Sequence, residues 1–285
     1  MVPIAVMTDT NSGMTPEEAR QAGVHLLPMP FTVDGREYFE HLDISHEEFY
    51  RQQLAGAQIS SSQPAPAALL DMWDGILETH EALVYIPMTS GLSGSYATAA
   101  GFAADYDGRV QVVDNRRISV PLKQAVLEAV RLRDAGKTAQ EIAQRLMEKA
   151  LDSRIYITVE DLSYLKKTGR ITPTVAAVGT VLNIKPVMKI LDGKLDMHCK
   201  VRGMKQARQT MLDAVRADLQ GDFAGKKVMI AAAYSGDREQ GEQWAQVVRD
   251  SFPGLPFMSD PLPLSIGCHV GPGALGAAIL ADYDE

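Results

Sequence analysis

Residues 82–96 read ALVYIPMTSGLSGSY and join two kinds of local structure. The first seven, Ala82 to Met88, are almost continuously apolar, which is typical of a buried strand. Serine, threonine and glycine follow, and then an alanine-rich segment with helical character. A strand that leads through a small polar loop into a helix brings hydroxyls and free backbone N–H groups together. The pattern predicts an α/β unit with a site for an anionic group, and an ordinary turn with a helix N-cap is the alternative.

A second serine-rich turn, Ser60 to Gln63, precedes another helical pattern. Six apolar residues share one face of that helix: Ala68, Leu69, Met72, Trp73, Ile76 and Leu77. Capping of the helix by Ser62 or Gln63, with Pro64 in its first turn, is the purely structural interpretation. Two serine-rich turns that each open a helix favour a shared site.

Composition limits the class of protein. The chain of 285 residues is longer than a typical single domain, which predicts two domains. Its formal net charge of −8 argues against a nucleic-acid partner, which would require a basic surface. The first residues do not resemble a signal peptide, and the longest uncharged apolar stretch, 171–184, is too short to span a bilayer. We therefore expect a cytoplasmic protein without a transmembrane segment.

Strands and helices alternate through the first half of the chain. Strands are expected at 3–7, 82–88 and 110–113, and helices near 15–22, 66–79, 94–104, 119–134 and 138–150. A second extended stretch is expected near 24–33, followed by a turn at Asp34-Gly35 and a strand through Tyr38-Phe39. This order predicts a mostly parallel sheet with flanking helices, a Rossmann-like α/β domain over residues 1–158. Ligands in such sheets lie beyond the carboxyl ends of the strands. Asp9, Ser93 and Asp114 fall there, and Asp9 continues into the polar residues Thr10, Asn11 and Ser12.

The second half changes character and predicts a smaller α+β domain with antiparallel strands over residues 159–285. The expected elements are a short helix ending at Gly169, an apolar helix at 173–183 and a hairpin that turns at Asp192-Gly193. A helix to about Leu219, a strand at 228–233, a helix through Trp244, a strand near Phe257 and a last helix from about Gly273 complete it.

The two cysteines, Cys199 and Cys268, each neighbour a histidine. A zinc site is disfavoured because adjacent residues in extended chain point to opposite faces and do not easily supply two ligands to one metal. A disulfide is disfavoured in a cytosolic setting. We expect two small buried thiols, and no metal or cofactor.

Five segments resemble the DegV family, in matching order and spacing from the first strand to the last helix. They are Ser61 to Pro64, Ser90 to Tyr96, Asp161 to Lys167 with Gly169 to Ile171, Leu182 to Pro186, and His269 to Gly273. The resemblance implies a two-domain α/β fold that holds a long-chain fatty acid in a buried tunnel at the domain interface. It also implies a non-enzymatic role in phospholipid metabolism. Such proteins are the acyl-binding subunits of bacterial fatty acid kinase, which present the carboxylate to a separate ATP-using subunit and contact membranes at most transiently.

The residues that the resemblance assigns to the fatty acid are Ser61, Ser62, Ser93, Gly94, Arg170 and His269. Within this set, the hydroxyls of Ser61 and Ser93 match the family's carboxylate-holding positions, and Arg170 and His269 match the polar network around the head group. Each of the last two has a plainer interpretation. Arg170 could complement the end of the preceding helix, and His269 could be a hydrogen-bonded core histidine.

Three segments depart from the family pattern. Thr168-Gly169 stands where Gly-Gly is usual, and Asp9 to Gly13 read DTNSG rather than DSTSD. After Val113 the sequence is DNRR rather than Asp-Ser followed by small residues. The family also often has Thr in place of Ser61. These differences bear on ligand preference and loop detail rather than on the fold.

A fatty acid site agrees with the residue types. Each buried methylene contributes about 0.8 kcal/mol, so a tail of about fifteen supplies roughly 12 kcal/mol before ordering costs. Neutral hydroxyls therefore need only orient the head group. The apolar helix at 173–183 fits a wall of the tunnel, and an interdomain core is the alternative.

Two other functions are compatible with parts of the sequence. A serine hydrolase acting on a lipid-like ester would use Ser93 and His269 with Asp9 or Asp114, but residue 95 is not the glycine of a Gly-x-Ser-x-Gly elbow. A nucleotide binder on the same sheet edge would need Gly-x-Gly-x-x-Gly after the first strand or a Walker lysine, and the sequence has neither.

Overall fold

The computed structural model of the chain describes residues 4–171 and 183–282. The apolar helix expected at 173–183 lies, except for Asn183, outside the described residues. The strands of the described ranges are β1 (Ile4–Asp9), β2 (Val24–Leu27), β3 (Pro30–Val33), β4 (Arg36–Phe39), β5 (Ile59–Ser61), β6 (Ala82–Ile86), β7 (Val110–Val112), β8 (Ser153–Thr158), β9 (Ile184–Leu191), β10 (Lys194–Arg202), β11 (Val228–Tyr234), β12 (Phe257–Pro261) and β13 (Leu275–Ala281). The helices are α1 (Pro16–Ala22), α2 (His46–Leu54), α3 (Pro66–Leu77), α4 (Ser95–Ala103), α5 (Ser119–Asp134), α6 (Ala139–Glu148), α7 (Ser163–Thr168), α8 (Gly203–Gln220), α9 (Arg238–Ser251) and α10 (Leu264–Val270), with 3-10 turns at Thr10–Ser12 and Ala104–Tyr106.

The first half forms the predicted parallel sheet. Its four strands run in the order β2-β1-β6-β7, and every pair is parallel. Successive residues of β1 and β6 face opposite layers of helices, as strand geometry requires. Val6 and Val84 pack with apolar residues of α5 and α6, whereas Met7 and Leu83 pack with those of α3 and α4. The α/β prediction is therefore confirmed.

A larger sheet of six strands, β10-β9-β8-β13-β11-β12, occupies the second half. Its pairs are antiparallel except β11 with β12. The predicted hairpin is β9 and β10, and both residues of its turn have positive φ, 55° at Asp192 and 74° at Gly193. Strand β8 pairs in this sheet although it precedes residue 159. The division of the chain at residue 158 stays a prediction.

The prediction of a last helix from Gly273 is wrong. Residues Leu275–Ala281 form β13, which lies between β8 and β11, and all seven are buried. A strand covered on both faces shows no apolar and polar alternation, so its run of alanines and glycines resembles a helix in sequence. The last helix of the described chain is α10, which ends at Val270.

The predicted turn at Asp34-Gly35 joins β3 to β4, but the small third sheet that these strands form with β5 was not expected from the sequence. Strand β3 pairs with β4 and β5, and the extended stretch expected at 24–33 divides into β2 and β3 around Pro28. Helix α10 packs on β3 and β5 through Leu264 and Cys268, beside Phe31 and Phe49. This packing brings the end of β5 close to the last turn of α10. In the described ranges we find no helix with the length and apolar character needed to cross a membrane.

Candidate functional site

A cavity of about 380 Å³ lies among the parallel sheet, the small sheet, α10 and the six-stranded sheet. This volume is within the roughly 300–1,000 Å³ range of small-molecule sites. Most of the lining is aliphatic or methionine, and representative residues are Met88, Ile118, Ile157, Ile190, Leu262 and Ile266. The walls therefore suit an apolar ligand.

The six residues that the family resemblance assigns to a fatty acid all line this one cavity. Ser61 ends β5 and Ser62 follows it, while Ser93 and Gly94 lie in the loop before α4. Arg170 follows α7, and His269 is in α10. The structure thus assembles segments that are far apart in the chain.

Ser61 and His269 form a direct pair. The Ser61 hydroxyl oxygen lies 2.7 Å from Nε2 of His269, and Nδ1 of the same ring is buried without a hydrogen-bond partner among the described residues. Burial, and next the nearby charge of Arg170, lowers the pKa of His269 to about 4, so the ring is neutral at pH 7. With its hydrogen on Nε2, the ring donates to the Ser61 oxygen and leaves the serine hydrogen available to a ligand.

The two serine-rich turns are joined through Gln63. The hydroxyl of Thr98 donates to Oε1 of Gln63 at 3.0 Å, and a Cβ added at Gly94 would lie 2.5 Å from the Gln63 amide nitrogen. Glycine at 94 therefore lets the protein's own glutamine approach the loop. Because α3 begins at Pro66 with no side-chain cap, the interpretation of Ser62 or Gln63 as its N-cap is wrong.

Ser93 is held within its own loop. Its oxygen lies 2.9 Å from the Ser95 hydroxyl oxygen and accepts the Ser95 backbone N–H at 3.1 Å. Helix α4 begins at Ser95 without a side-chain capping bond at Gly94. The half-buried Ser93 hydroxyl therefore has a fixed position at the edge of the cavity.

Arg170 lies at the end of α7 and also lines the cavity. Helix α7 ends at Thr168, followed by Gly169 in the left-handed region with φ 68°, and the Arg170 guanidinium donates to the Thr168 carbonyl at 2.6 Å. The same charge faces the cavity and depresses the pKa of His269. Helix α7 packs closely on the end of α10, because any side chain at Gly271 would clash with the ring of Tyr164.

The tip of the β9–β10 hairpin docks on the loop before α4, a contact that the sequence did not predict. The Thr89 hydroxyl donates to the Gly193 carbonyl at 3.3 Å, and Arg116 forms an ion pair with Asp192. A Cβ at Gly91 would clash with that carbonyl. The Asp-Gly turn signalled the hairpin but not the surface on which it docks.

Asn11, Ser119 and Ser265 are also among the polar residues that line the cavity. The Ser265 hydroxyl donates to Oδ1 of Asn11 at 2.6 Å. Asn11 belongs to the polar segment noted after the first strand, whereas nothing in the sequence pattern distinguished Ser119 or Ser265.

The acids considered for hydrolysis lie elsewhere. Asp9 accepts the backbone N–H groups of Asn11 at 2.9 Å and Met88 at 3.2 Å, and burial raises its pKa to about 6. Asp114 accepts from Ser90 and from the Arg116 backbone. Neither carboxylate contacts His269, whose bonded serine is Ser61 rather than Ser93. A serine, histidine and acid set is therefore not assembled in the described structure.

Both cysteines are free thiols, Cys268 buried and Cys199 half-buried. Within residues 4–171 and 183–282, no group of three or more histidine, cysteine or acidic side chains is arranged to hold a metal ion.

The fold and the largely apolar cavity define an α/β protein with a ligand-sized pocket between its sheets. The DegV family model matches residues 3–282 of the chain. A DegV domain-containing protein of Deinococcus radiodurans is 30% identical over 277 residues, covering 97% of this chain and 98% of its own. The chain belongs to the DegV family.

Solved structures agree with this assignment. A DegV family protein from Thermus thermophilus, studied for its fatty acid binding, is 28% identical with a TM-score of 0.89, over 99% of this chain and 100% of its own. The Bacillus subtilis fatty acid-binding protein DegV has a TM-score of 0.86 at 23% identity, over 99% and 100% of the two chains. The latter likeness supports the fold alone.

Proposed function

We propose that this protein binds a long-chain fatty acid in the cavity, with its carboxylate at the hydroxyls of Ser61 and Ser93. The observation that carries the proposal is that these serines, His269 and Arg170 line one largely apolar cavity, in which Ser61 and His269 are hydrogen-bonded. The fatty acid binding of the Thermus thermophilus relative supports the same ligand class.

The relative contributions of the tail and the head group to the binding free energy favour this ligand. The tail contributes roughly 12 kcal/mol from about fifteen methylenes before ordering costs, whereas a hydrogen bond to a charged group contributes about 1.5–3 kcal/mol. A neutral His269 hydrogen-bonded to Ser61 orients a hydroxyl without adding a buried charge. The exposed guanidinium of Arg170 supplies the positive potential that an anionic head group needs.

We propose further that the protein is a binding subunit and presents its acyl carboxylate to a separate kinase subunit, which makes acyl phosphate for phospholipid metabolism. Phosphoryl transfer requires ATP and a metal, and the sequence lacks a Walker lysine motif. A basic stretch near Arg170 is a candidate docking surface in an otherwise acidic chain: Lys166, Lys167, Arg170, Lys185, Lys189, Lys194, Lys200 and Arg202. A cytoplasmic location is part of this proposal.

The hydrolase alternative has little geometric support. His269 contacts Ser61, its Nδ1 has no acidic partner among the described residues, and its pKa of about 4 makes it a weak base at neutral pH. An orienting role suits such a histidine better than proton abstraction.

Mass spectrometry of organic extracts from the purified protein tests the ligand. We expect close to one long-chain fatty acid per chain, and uptake of added palmitate or oleate after lipid removal. Repeated absence of both would overturn the proposal. Adding a cognate kinase subunit with ATP and Mg²⁺ then tests presentation, because acyl phosphate should form only when both proteins are present.

A further inference from the structure

The cavity holds a second polar group, made by Asn11, Ser119 and Ser265. All three are more than nine-tenths buried, with exposures of 1%, 5% and 6%. Oδ1 of Asn11 accepts from Ser265, but the Asn11 amide nitrogen and the Ser119 hydroxyl have no hydrogen-bond partner among the described residues. Buried polar groups are nearly always paired, so these two atoms indicate a partner group on the ligand.

This polar group is displaced from the proposed carboxylate site by one turn of α10. Ser265 and His269 are four residues apart on α10, and their side chains are therefore separated by one helical turn, about 5–6 Å. Ile266 and Leu262 add apolar surface to the same part of the cavity. A chain whose carboxylate lies at Ser61 and Ser93 would meet Asn11 a few carbons along its length.

The two unpartnered atoms belong to well-fixed segments. The turn Thr10–Ser12 packs against α5, which begins at Ser119, and against α10. The Asn11 backbone N–H donates to the buried Asp9 carboxylate, and this bond fixes the turn. Ser119 has φ 56°, a left-handed conformation that is uncommon for residues other than glycine and is found preferentially at functional positions.

We propose that Asn11 and Ser119 bind a hydroxyl group on the acyl chain, so that the preferred ligand is a long-chain hydroxy fatty acid. A hydroxyl can accept from the Asn11 amide and donate to the Ser119 oxygen at the same time. This inference rests on the proposed function, since it requires the carboxylate to be anchored at Ser61 and Ser93.

Binding of hexadecanoic acid and of its monohydroxy isomers to the lipid-free protein tests the inference. An isomer whose hydroxyl falls on an apolar wall should bind at least about tenfold more weakly, because the group is buried without a partner. One position, or two adjacent positions, should instead bind about fivefold more tightly than hexadecanoic acid, the size of one net hydrogen bond.

Single substitutions test which side chains cause the preference for one hydroxyl position. Asn11→Leu and Ser119→Ala should each remove the positional preference, so that no hydroxy isomer binds more tightly than hexadecanoic acid to either variant. Asn115→Leu is the matched control, because Asn115 is also fully buried with an unpartnered amide nitrogen but does not line the cavity. Thermal unfolding checks that each variant is folded, and either cavity variant suffices for the test.

The possible results separate the two proposals. Uniform weakening of every hydroxy isomer, with hexadecanoic acid still bound, overturns the subsite alone. Loss of hexadecanoic acid binding in folded Asn11→Leu shows that the amide holds the carboxylate, which also overturns it. Failure of the wild type to bind any of these acids overturns the proposed function as well.

Discussion

The Ser61 hydroxyl and Nε2 of His269 lie 2.7 Å apart although 208 positions separate them in sequence. The contact joins the last residue of β5 to the final turn of α10, and it exists because α10 packs on the small sheet. Since the pKa of His269 is about 4, the contact is a neutral hydrogen bond that orients the serine rather than an ion pair.

The pair predicts a specific response at position 61. Ser61→Thr should retain head-group positioning because the hydroxyl is kept, whereas Ser61→Ala should weaken fatty acid binding by about tenfold or more, since a hydrogen bond to a carboxylate contributes about 1.5–3 kcal/mol. Titration of lipid-free protein with a fluorescent fatty acid measures both. Ser60→Ala is the control, because the Ser60 hydroxyl bonds Thr32 and does not line the cavity. Equal affinities for Ser61→Ala and wild type would contradict the role of the hydroxyl.

Asp9 and His269 should give opposite pH dependences of stability. The folded pKa of His269, about 4, is below its ordinary value of 6.5. Its contribution to the free energy of unfolding is therefore present above pH 6.5 and is lost as the pH falls toward 4. The folded pKa of Asp9, about 6, is above its ordinary 3.8, so its contribution is present below pH 3.8 and is lost as pH rises toward 6. Each contribution to the free energy of unfolding amounts to about 3 kcal/mol, and the two pH dependences largely cancel between pH 4 and 6.

Removing one of these titrating groups should therefore reveal the pH dependence of stability that the other group causes. Relative to wild type, lipid-free His269→Gln should gain stability as the pH falls from 6 to 4, and Asp9→Asn should lose it. Urea unfolding at pH 4, 5, 6 and 7 gives the three curves of unfolding free energy. Parallel curves for all three proteins would show that these groups do not titrate as their burial implies.

Ser93→Ala should separate binding from presentation. The tail supplies most of the binding free energy, and the variant loses only the roughly 1.5–3 kcal/mol of one hydrogen bond to a carboxylate. The lipid content of the purified variant should therefore stay near that of wild type. Acyl phosphate formation with a cognate kinase should fall more than about tenfold, because a misplaced carboxylate lowers the rate steeply. Organic extraction and single-turnover assays measure the two quantities. A folded variant without bound lipid would contradict the tail-dominated account.

The sequence predicted the first half well because its signals are local. The apolar run 82–88 and the helical spacing of Leu69, Trp73 and Ile76 each depend on neighbouring residues, and the parallel sheet follows from their alternation. Strand β13 was mistaken for a helix because Gly276 and the alanines beside it are buried on both faces and show no alternation. Burial on two sides is a property of the assembled sheets.

The same distinction applies to the site. The loops of Ser61 and Ser93 were recognised because each precedes a helix, whereas His269 and Arg170 were recognised only through the family resemblance. Nothing local indicates that the Asp192-Gly193 turn docks beside Thr89, or that Ser119 lines a cavity. These features arise from contacts between segments distant in the chain.

The hairpin contact should stabilise both the fold and the cavity. Gly91→Ala forces its methyl group against the Gly193 carbonyl and should cost about 1–3 kcal/mol by overpacking. Because Ile190 and Leu195 of the same hairpin line the cavity, lipid should also be released faster. Gly101→Ala is the matched control, since that exposed position in α4 has nothing within 4 Å and should be slightly stabilised. Urea unfolding and lipid exchange measure the two effects, and similar values for both variants would contradict the contact's importance.

Arg170 should matter more for phosphoryl transfer than for lipid retention. Its exposed guanidinium borders the cavity and is held by the Thr168 carbonyl, where it can steady the charge of a transferring phosphoryl group. Arg170→Ala should keep full lipid occupancy and lose at least about tenfold in acyl phosphate formation with a cognate kinase. Arg170→Lys should recover little of the lost activity, because lysine lacks the planar fork of the guanidinium group.

Arg238→Ala is the control, since Arg238 is an exposed arginine of α9 paired with Glu242. Unchanged turnover in Arg170→Ala would reduce Arg170 to a cation at the end of α7, and loss of lipid would instead make it part of the carboxylate site.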